Sequence, residues 1–270
     1  MSERQIPRNY KNLDSLNEVA DYIFQYFQKF CPETRFQEYQ VKDNTYKNVI
    51  CFFKGKNTKR KVFGAHYDVA DHQPGADDNA SGVATLLELA RLLSKKQEPL
   101  KNDIELVAYT LEEPPFFYGE NMGSAIHAKS LKQSGIDLDY MVSIEMVGYY
   151  DKKPWSQFYP LPLFYLFFPH RGTFLTLIGG LKEYFQIRKL KSKMSSLKKP
   201  TLFSFNGPTV IQGLDYSDHS SYWKLGYNAY MVTDTSFFRN HNYHKTTDTI
   251  DTLNFDIMKD VTLSLYQLMR

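Results

Sequence analysis

Residues 62–95, VFGAHYDVADHQPGADDNASGVATLLELARLLSK, decide how the rest of the chain is read. The apolar run Val62, Phe63, Gly64, Ala65 predicts a buried strand that delivers His66 and Asp68 to a loop. Pro74 and Gly75 turn the chain, and Asp77, Asp78 and Asn79 stand at the start of a helix, where carboxylates meet exposed N–H groups. From Ser81 onward Val83, Leu86, Leu87, Ala90 and Leu93 recur at helical spacing, with Leu89 and Leu92 widening the apolar face. The unit is strand, polar loop, buried helix. In α/β proteins such a loop holds ligands, and its His and Asp are donors that Zn²⁺ accepts. Equally, Asp77 and Asp78 cap the helix and His66 packs at a strand end; this stretch alone leaves both readings open.

Working outward, composition sets the bounds. With 270 residues, 42% of them apolar, the chain is long enough to bury a substantial core. The Lys-rich stretch from Lys182 to Lys199 alternates with Leu, Ile and Met, which reads as a solvated helix face and not as a nucleic-acid site. Two cysteines, Cys31 and Cys51, make no disulfide scaffold, and the count excludes zinc held by thiolates. The N-terminal MSERQIPRNYKNLDS has no apolar core of a secretion signal, so the expected location is cytoplasmic. Leu161 to Phe168 is too short to span a bilayer and is broken by Pro162, so it is expected to lie over a core or cleft, with no membrane partner.

In chain order, Ser15 and Glu18 form a capping-box signature ahead of an amphipathic helix to about Phe30. Strand-like runs at Phe36 to Val41 and Asn48 to Phe53, separated by Asp43 and Asn44, are expected to form an antiparallel edge with Val62 to Ala65. Asp103 to Leu111 reads as a central strand that must stop at Pro114 and Pro115, leaving Glu112 and Glu113 at its carboxyl end. A helix from about Met122 to Gln133 leads to a strand at Tyr140 to Ile144, ending at Glu145. Further strands are expected at Phe174 to Ile178, Leu202 to Phe205 and Ala229 to Val232, with helices after Gly180, through Ser220 to Trp223, and from about Asn254. The loop NHNYHKTTD carries His241, Tyr243, His244 and Asp248. Alternating strands and helices predict one α/β domain over residues 1–270, its central sheet covered on both faces.

Three strands thus end in His66, in Glu112 with Glu113, and in Glu145, with Asp78 following the first and His244 a late one. Carboxylates crowded at neighbouring strand ends repel unless protons or cations neutralise them. Asp78, Glu113 and Glu145 supply three negative charges and neutral His66 and His244 none, so two Zn²⁺ ions would leave one positive charge, which favours hydroxide. Five ligands serve two ions only if one bridges, and Asp78 on its helix-start loop is the natural bridge. Glu112 points away from its neighbour's direction and is free to act as general base.

AHYD, PGADDNASGVATLLELAR, EE, SIEMVGYY and YHKTTDT, in this order, resemble the zinc aminopeptidase family with co-catalytic metals, which includes glutamate carboxypeptidases and, as divergent relatives, glutaminyl cyclases. The resemblance runs from about Val62 to Thr249. It implies a three-layer α/β/α sandwich with a mixed, mostly parallel twisted sheet. His66, Asp78, Glu113, Glu145 and His244 match the family's metal ligands, and Glu112 its general base. Asp68 matches the carboxylate that orients a ligand imidazole, and Tyr243 a tyrosine that steadies an oxyanion. A cis peptide between Asp78 and Asn79 is implied as well. Glu145 stands where many members have Asp, and the EEPPFF continuation and the aromatic loop from Phe158 to Phe174 also depart from the pattern.

The implied activity is removal of N-terminal residues from peptides with two zinc ions. One alternative is a glutaminyl-cyclase-like acyltransferase with one zinc, against which His66 counts; another is a binding protein that kept the fold. Asp218 and His219 border the cleft or cap and pack; Asp234 and Asp248 support ligands or cap turns. His72, His127, His170 and His241 read as surface or structural.

Overall fold

Alternation along the inner strands sets the layers. The computed structural model describes residues 6–270; the first five residues of the stretch read for a secretion signal lie outside them. Strands β1 (Glu33–Val41), β2 (Asn44–Phe53), β3 (Asn57–His66), β4 (Asn102–Tyr109), β5 (Leu138–Glu145), β6 (Leu175–Gly179), β7 (Leu202–Asn206) and β8 (Ala229–Thr233) form one eight-stranded sheet in the order β1-β2-β4-β3-β5-β8-β6-β7. Phe63, Ala65, Leu106, Ala108, Val142 and Ile144 point to one face, whereas Val62, Val107, Tyr109 and Met141 point to the other. Both faces are therefore apolar and both must be covered.

Helices α1 (Leu13–Gln28), α2 (Gly82–Ser94), α4 (Tyr184–Met194) and α6 (Phe255–Tyr266) cover the first face through Leu16, Ile23, Leu86, Leu190 and Val261, among others. Helices α3 (Gly123–Gln133) and α5 (His219–Lys224) cover the second through Ala128, Leu131 and Tyr222. The result is the three-layer α/β/α arrangement that the resemblance implies. Four of the seven strand pairings are parallel and three antiparallel.

The chain passes from β3 through α2 to β4 on one side, then through α3 to β5 on the other, so both neighbours of β3 are parallel to it. The crossover helices lie on opposite faces, which opens a crevice at the carboxyl end of β3. That crevice is where His66, Glu112, Glu113 and Glu145 emerge.

Several expectations are corrected. Val62 to Ala65 is not part of the antiparallel edge: β2 pairs with β4 instead, and β3 lies inside the parallel core. Helix α1 begins at Leu13 with Asn12 as its N-cap, so Ser15 lies inside the first turn and donates to the carbonyl of Ile6 at 3.0 Å. Asp77, Asp78 and Asn79 do not open α2 directly; they lie in a π-helical turn, Ala76–Ser81, where Asp78 and Asn79 have non-helical torsions. The cysteine count gives no scaffold, yet Cys31 and Cys51 form one disulfide tying the chain just after α1 to β2.

Buried charge in the sheet is paired. Glu105 on β4 is fully buried and meets Arg60 at 3.1 Å, Arg35 at 3.0 Å and His127 at 3.4 Å. Burial opposes its ionised form, but His127, Arg60 and Arg35 together outweigh it and lower its pKa to about 2. His127 also contacts the Tyr222 hydroxyl at 2.6 Å and so is structural, whereas His72, His170 and His241 are exposed.

Candidate metal centre

Each element presents its polar end to the crevice. Asp78 is the centre: its Oδ1 lies 3.4 Å from Nε2 of His66, and its Oδ2 lies 3.2 Å from Nε2 of His244. His66 Nε2 is also 3.4 Å from Glu145 Oε2, and His244 Nε2 is 3.2 Å from Glu113 Oε2. The five residues thus pair as two sets, His66 with Glu145 and His244 with Glu113, with the Asp78 carboxylate reaching both imidazoles. One donor atom each from His66, Asp78 and Glu113 falls within 4.8 Å of the others, close enough to hold a metal ion. Glu112 Oε2 is 3.9 Å from His66 Nε2, beside both sets. All but His244 are buried; its side chain is 32% exposed and opens onto the cleft.

The loop that carries Asp78 is held from several sides. Gly75 precedes the turn with φ of 62°, a left-handed conformation in which a Cβ would strike the Asp78 carbonyl and the Val69 side chain. Asp248 accepts the amides of Asp77 and Asp78 at 2.9 and 3.0 Å. Arg8, fully buried, donates to the carbonyls of Tyr67 and Gly75 at 2.7 Å each and also to that of Pro74. Asn79 donates to the Ile144 carbonyl at 2.9 Å and accepts the Met146 amide at 3.1 Å, fixing the loop to the end of β5. The peptide between Asp78 and Asn79 is cis.

Asp68 serves two neighbours. Its two carboxylate oxygens accept the amides of Glu112 and Glu113, each at 3.2 Å, and Oδ1 lies 3.6 Å from His66 Nδ1. Gln73, absent from the sequence reading, is buried and donates to Asp78 and Glu113, both at 3.3 Å. Ser217 donates to Glu145 at 2.8 Å. Neither Gln73 nor Ser217 carries a periodic or motif signal, so only the folded positions reveal them. Asp218 lies fully buried at the N-cap position of α5 but makes no capping bond. Burial, against the pull of His66, raises its pKa to about 7. Burial also holds His219 neutral, its pKa lowered to about 4 with Nε2 bonded to the Leu214 carbonyl at 2.9 Å. Asp234 accepts the amides of Tyr149 and Ser236, a turn-holding role. Tyr243 stacks on His244, ring centres 3.8 Å apart, and lines the cleft.

The electrostatics are those of a crowded acidic pocket. Burial pushes Glu112 up well beyond the carboxylate range, with Glu113 and Glu145 adding to it and His66 opposing. Burial and Asp78 raise Glu113 to about 7 against His244. Burial would lower His66, yet Glu145 and Glu112 carry it well above its ordinary value; for His244, Asp78 and Glu113 overcome burial and raise it to about 10. Burial opposes the charge on Asp78 too, but both imidazoles hold it below the usual range. Acids pushed toward protonation and imidazoles pulled toward charge mark a place built for added positive charge.

A doubly covered α/β sheet whose strand ends gather two such imidazole–carboxylate sets in one crevice defines the class of α/β proteins with a candidate metal centre at the strand ends. The sequence profile described as peptidase family M28 matches residues 48–269, and the chain belongs to that family. It is 41% identical over 263 residues to the protein YfbL of Escherichia coli K12, covering 94% of this chain and 80% of that one. It is 31% identical to leucine aminopeptidase 1 of Leptosphaeria maculans over 78% of this chain and 52% of that enzyme, so it spans about half the length of that relative. Among solved structures, the LapA aminopeptidase of Legionella pneumophila superposes with a TM-score of 0.74 at 18% identity, over 100% of this chain and 69% of that one. BSAP, a zinc aminopeptidase from Bacillus subtilis, gives 0.63 at 21% over 85% and 52%. The glutaminyl cyclase of Bacteroides thetaiotaomicron gives 0.71 at 19% over 99% and 92%. At these identities the superpositions establish the fold.

Proposed function

We propose that the chain is a metal-dependent aminopeptidase, one catalytic domain over residues 1–270, with His66, Asp78 and Glu145 holding one zinc ion and Asp78, Glu113 and His244 a second. The observation that carries this is the pair of Asp78 oxygens, each facing a different imidazole at 3.4 and 3.2 Å. The donor set fits: buried carboxylates that repel one another are neutralised by protons or by cations, and a dication does so while leaving them ionised as ligands. When bound, such ions polarise a scissile carbonyl and make water nucleophilic near neutral pH.

The chain's own residues supply the rest. Positive charge bound in the two sets would hold Glu112 ionised against its burial, so that it takes the proton of the attacking water and returns it to the leaving amine. Asp68 keeps Glu112 and Glu113 in place through their amides. The Tyr243 hydroxyl steadies charge developing on the carbonyl oxygen. Among the described residues lining the cleft there is no Lys or Arg to pair with a substrate carboxylate, while Glu112 and Glu145 suit a free α-ammonium group. That supports aminopeptidase over carboxypeptidase action.

A second reading, cyclisation of N-terminal glutamine at one zinc, is favoured by the match across 92% of the Bacteroides thetaiotaomicron glutaminyl cyclase. Zinc-loaded protein, assayed on aminoacyl anilides, their N-acetylated forms and a glutaminyl peptide, separates the two. The proposal requires cleavage of the free-amine substrates alone and a loss of about 10²–10⁴-fold in Glu112→Gln. Cyclisation without hydrolysis, or equal cleavage of the acetylated forms, overturns it.

No helix among the described residues is long and apolar enough to cross a membrane. The Cys31–Cys51 bridge supports an oxidising compartment over the cytoplasmic location expected from the N-terminal sequence.

A further inference from the structure

The β7 edge of the sheet carries two features that peptide hydrolysis leaves unused. The first is the turn at Pro162–Leu166 in the aromatic loop. Phe164 and Phe168 pack inward on Phe205 and Phe203, while Leu163, Leu166 and Phe167 point out, exposed by 60, 75 and 68%. The exposed residues lie together on this short turn and the residue after it, the tip of the loop, anchored through Phe164 and Phe168.

The second feature is charge. Residues 152–206 hold ten lysines and arginines against a single acid, Glu183, which is itself buried, whereas the rest of the chain holds 23 against 29. Lys152 and Lys153 precede the loop and Arg171 lies near its end; Arg171 donates to the Lys152 carbonyl at 3.2 Å and so closes its base. Trp155, 64% exposed, sits at that base against His170. From the other face, Lys191 of α4 reaches the β7 edge, 5.7 Å from the ring of Phe203, which also packs against Phe168. Apolar tip, tryptophan and basic residues at the base, and Lys191 at the edge match the apolar, aromatic and basic groups that meet a bilayer surface.

We propose that this edge docks the protein on an anionic phospholipid bilayer, with Leu163, Leu166 and Phe167 entering the headgroup region and the flanking lysines and arginines pairing with lipid phosphates. Because Phe158, Tyr159 and Phe164 of the same loop line the cleft, docking places the opening of the candidate centre beside the membrane surface. That no helix among the described residues is long and apolar enough to cross a membrane does not bear on such peripheral attachment, which departs from the expectation of no membrane partner. The proposal is independent of which reaction the centre performs.

The test is cosedimentation of the full chain with phosphatidylcholine vesicles and with vesicles that also contain phosphatidylglycerol, alongside Trp155 emission. Expected are binding to the anionic vesicles only, reversal by high salt, and a partition at least about tenfold weaker in Leu163→Asp/Leu166→Asp/Phe167→Asp. Should that variant fail to fold by circular dichroism, Lys152→Glu/Lys153→Glu, which leaves the tip intact, must show the same weakening. Wild-type protein that stays in the supernatant with both vesicles overturns the proposal. So does a wild-type dimer in ultracentrifugation that the tip variant dissolves while vesicle binding is absent, which would make the tip a contact between copies of the chain.

Discussion

Asp248 holds the backbone of Asp78: its Oδ2 accepts the Asp78 amide at 3.0 Å, while Oδ1 accepts that of Asp77 at 2.9 Å. The carboxylate shared by the two imidazole sets is therefore aimed from the far end of the chain, by a residue just past His244. Outer partners of this kind tune affinity without touching the ion. Asp248→Ala is expected to weaken zinc binding by about 10–100-fold with the fold retained, and Asp248→Asn less, since one amide keeps its acceptor. Competition against a chelating dye reads the affinity. An unchanged affinity in Asp248→Ala would show that the turn holds Asp78 unaided.

Since each imidazole has a carboxylate of its own beside the shared Asp78, the two sides are separable by mutation. Glu145→Ala removes a donor from the His66 side and leaves His244 and Glu113 in place, 3.2 Å apart. Elemental analysis after dialysis is expected to fall from about two zinc ions per chain to about one, whereas Asp78→Ala loses both. Two ions retained in Glu145→Ala would count against that residue as a ligand.

What could be read from the chain before folding was whatever the backbone fixes locally. The apolar run into His66 and the paired prolines after Glu113 mark strand ends, and strand ends in a parallel sheet converge, so the acids and imidazoles could be gathered without coordinates. Partners drawn from distant loops could not be. Arg8 and Gln73 sit in stretches without periodicity, and their contacts with Gly75 and Glu113 exist only once the chain closes on itself. Strand neighbours were also hidden: alternation shows which face of β2 is apolar, but not that β4 lies beside it in place of β3. The Ser15 and Glu18 pair fits a cap in sequence, yet the helix starts earlier because Asn12 already accepts the first intrahelical bond, from Leu16.

The Cys31–Cys51 disulfide closes a loop of sequence separation 20 between α1 and β2. Chain-entropy arguments give such a loop about 3 kcal/mol of stability, lost when the unfolded chain is freed. Cys31→Ala/Cys51→Ala is expected to lower the free energy of unfolding by about that amount, and reductant should destabilise the wild type while leaving the variant unaffected. Urea melts of both proteins with and without reductant check this. A wild type indifferent to reductant would mean that the cysteines do not pair in solution.

The buried imidazole of His219 predicts an acid-side loss of stability. Its folded pKa is lowered from 6.5 to about 4, because burial removes the water that would solvate the cation. Between these values the unfolded chain binds the proton more tightly, so stability rises with pH there: the contribution is whole above pH 6.5 and is lost as pH falls toward 4. By pH 5 the loss is about 2 kcal/mol. Glu105, with a folded pKa of about 2 against 4.5, begins to lose its own contribution only below pH 4.5, so it does not confound a comparison made above pH 5. His219→Gln keeps a polar group near the Leu214 carbonyl but cannot titrate, and the difference between the two proteins separates the imidazole from the buried carboxylates that protonate over the same range. Urea unfolding at pH 7.5 and pH 5 is expected to show the wild type losing about 2 kcal/mol more than the variant. Parallel losses in both would place His219 in contact with water and not in the core between α5 and the sheet.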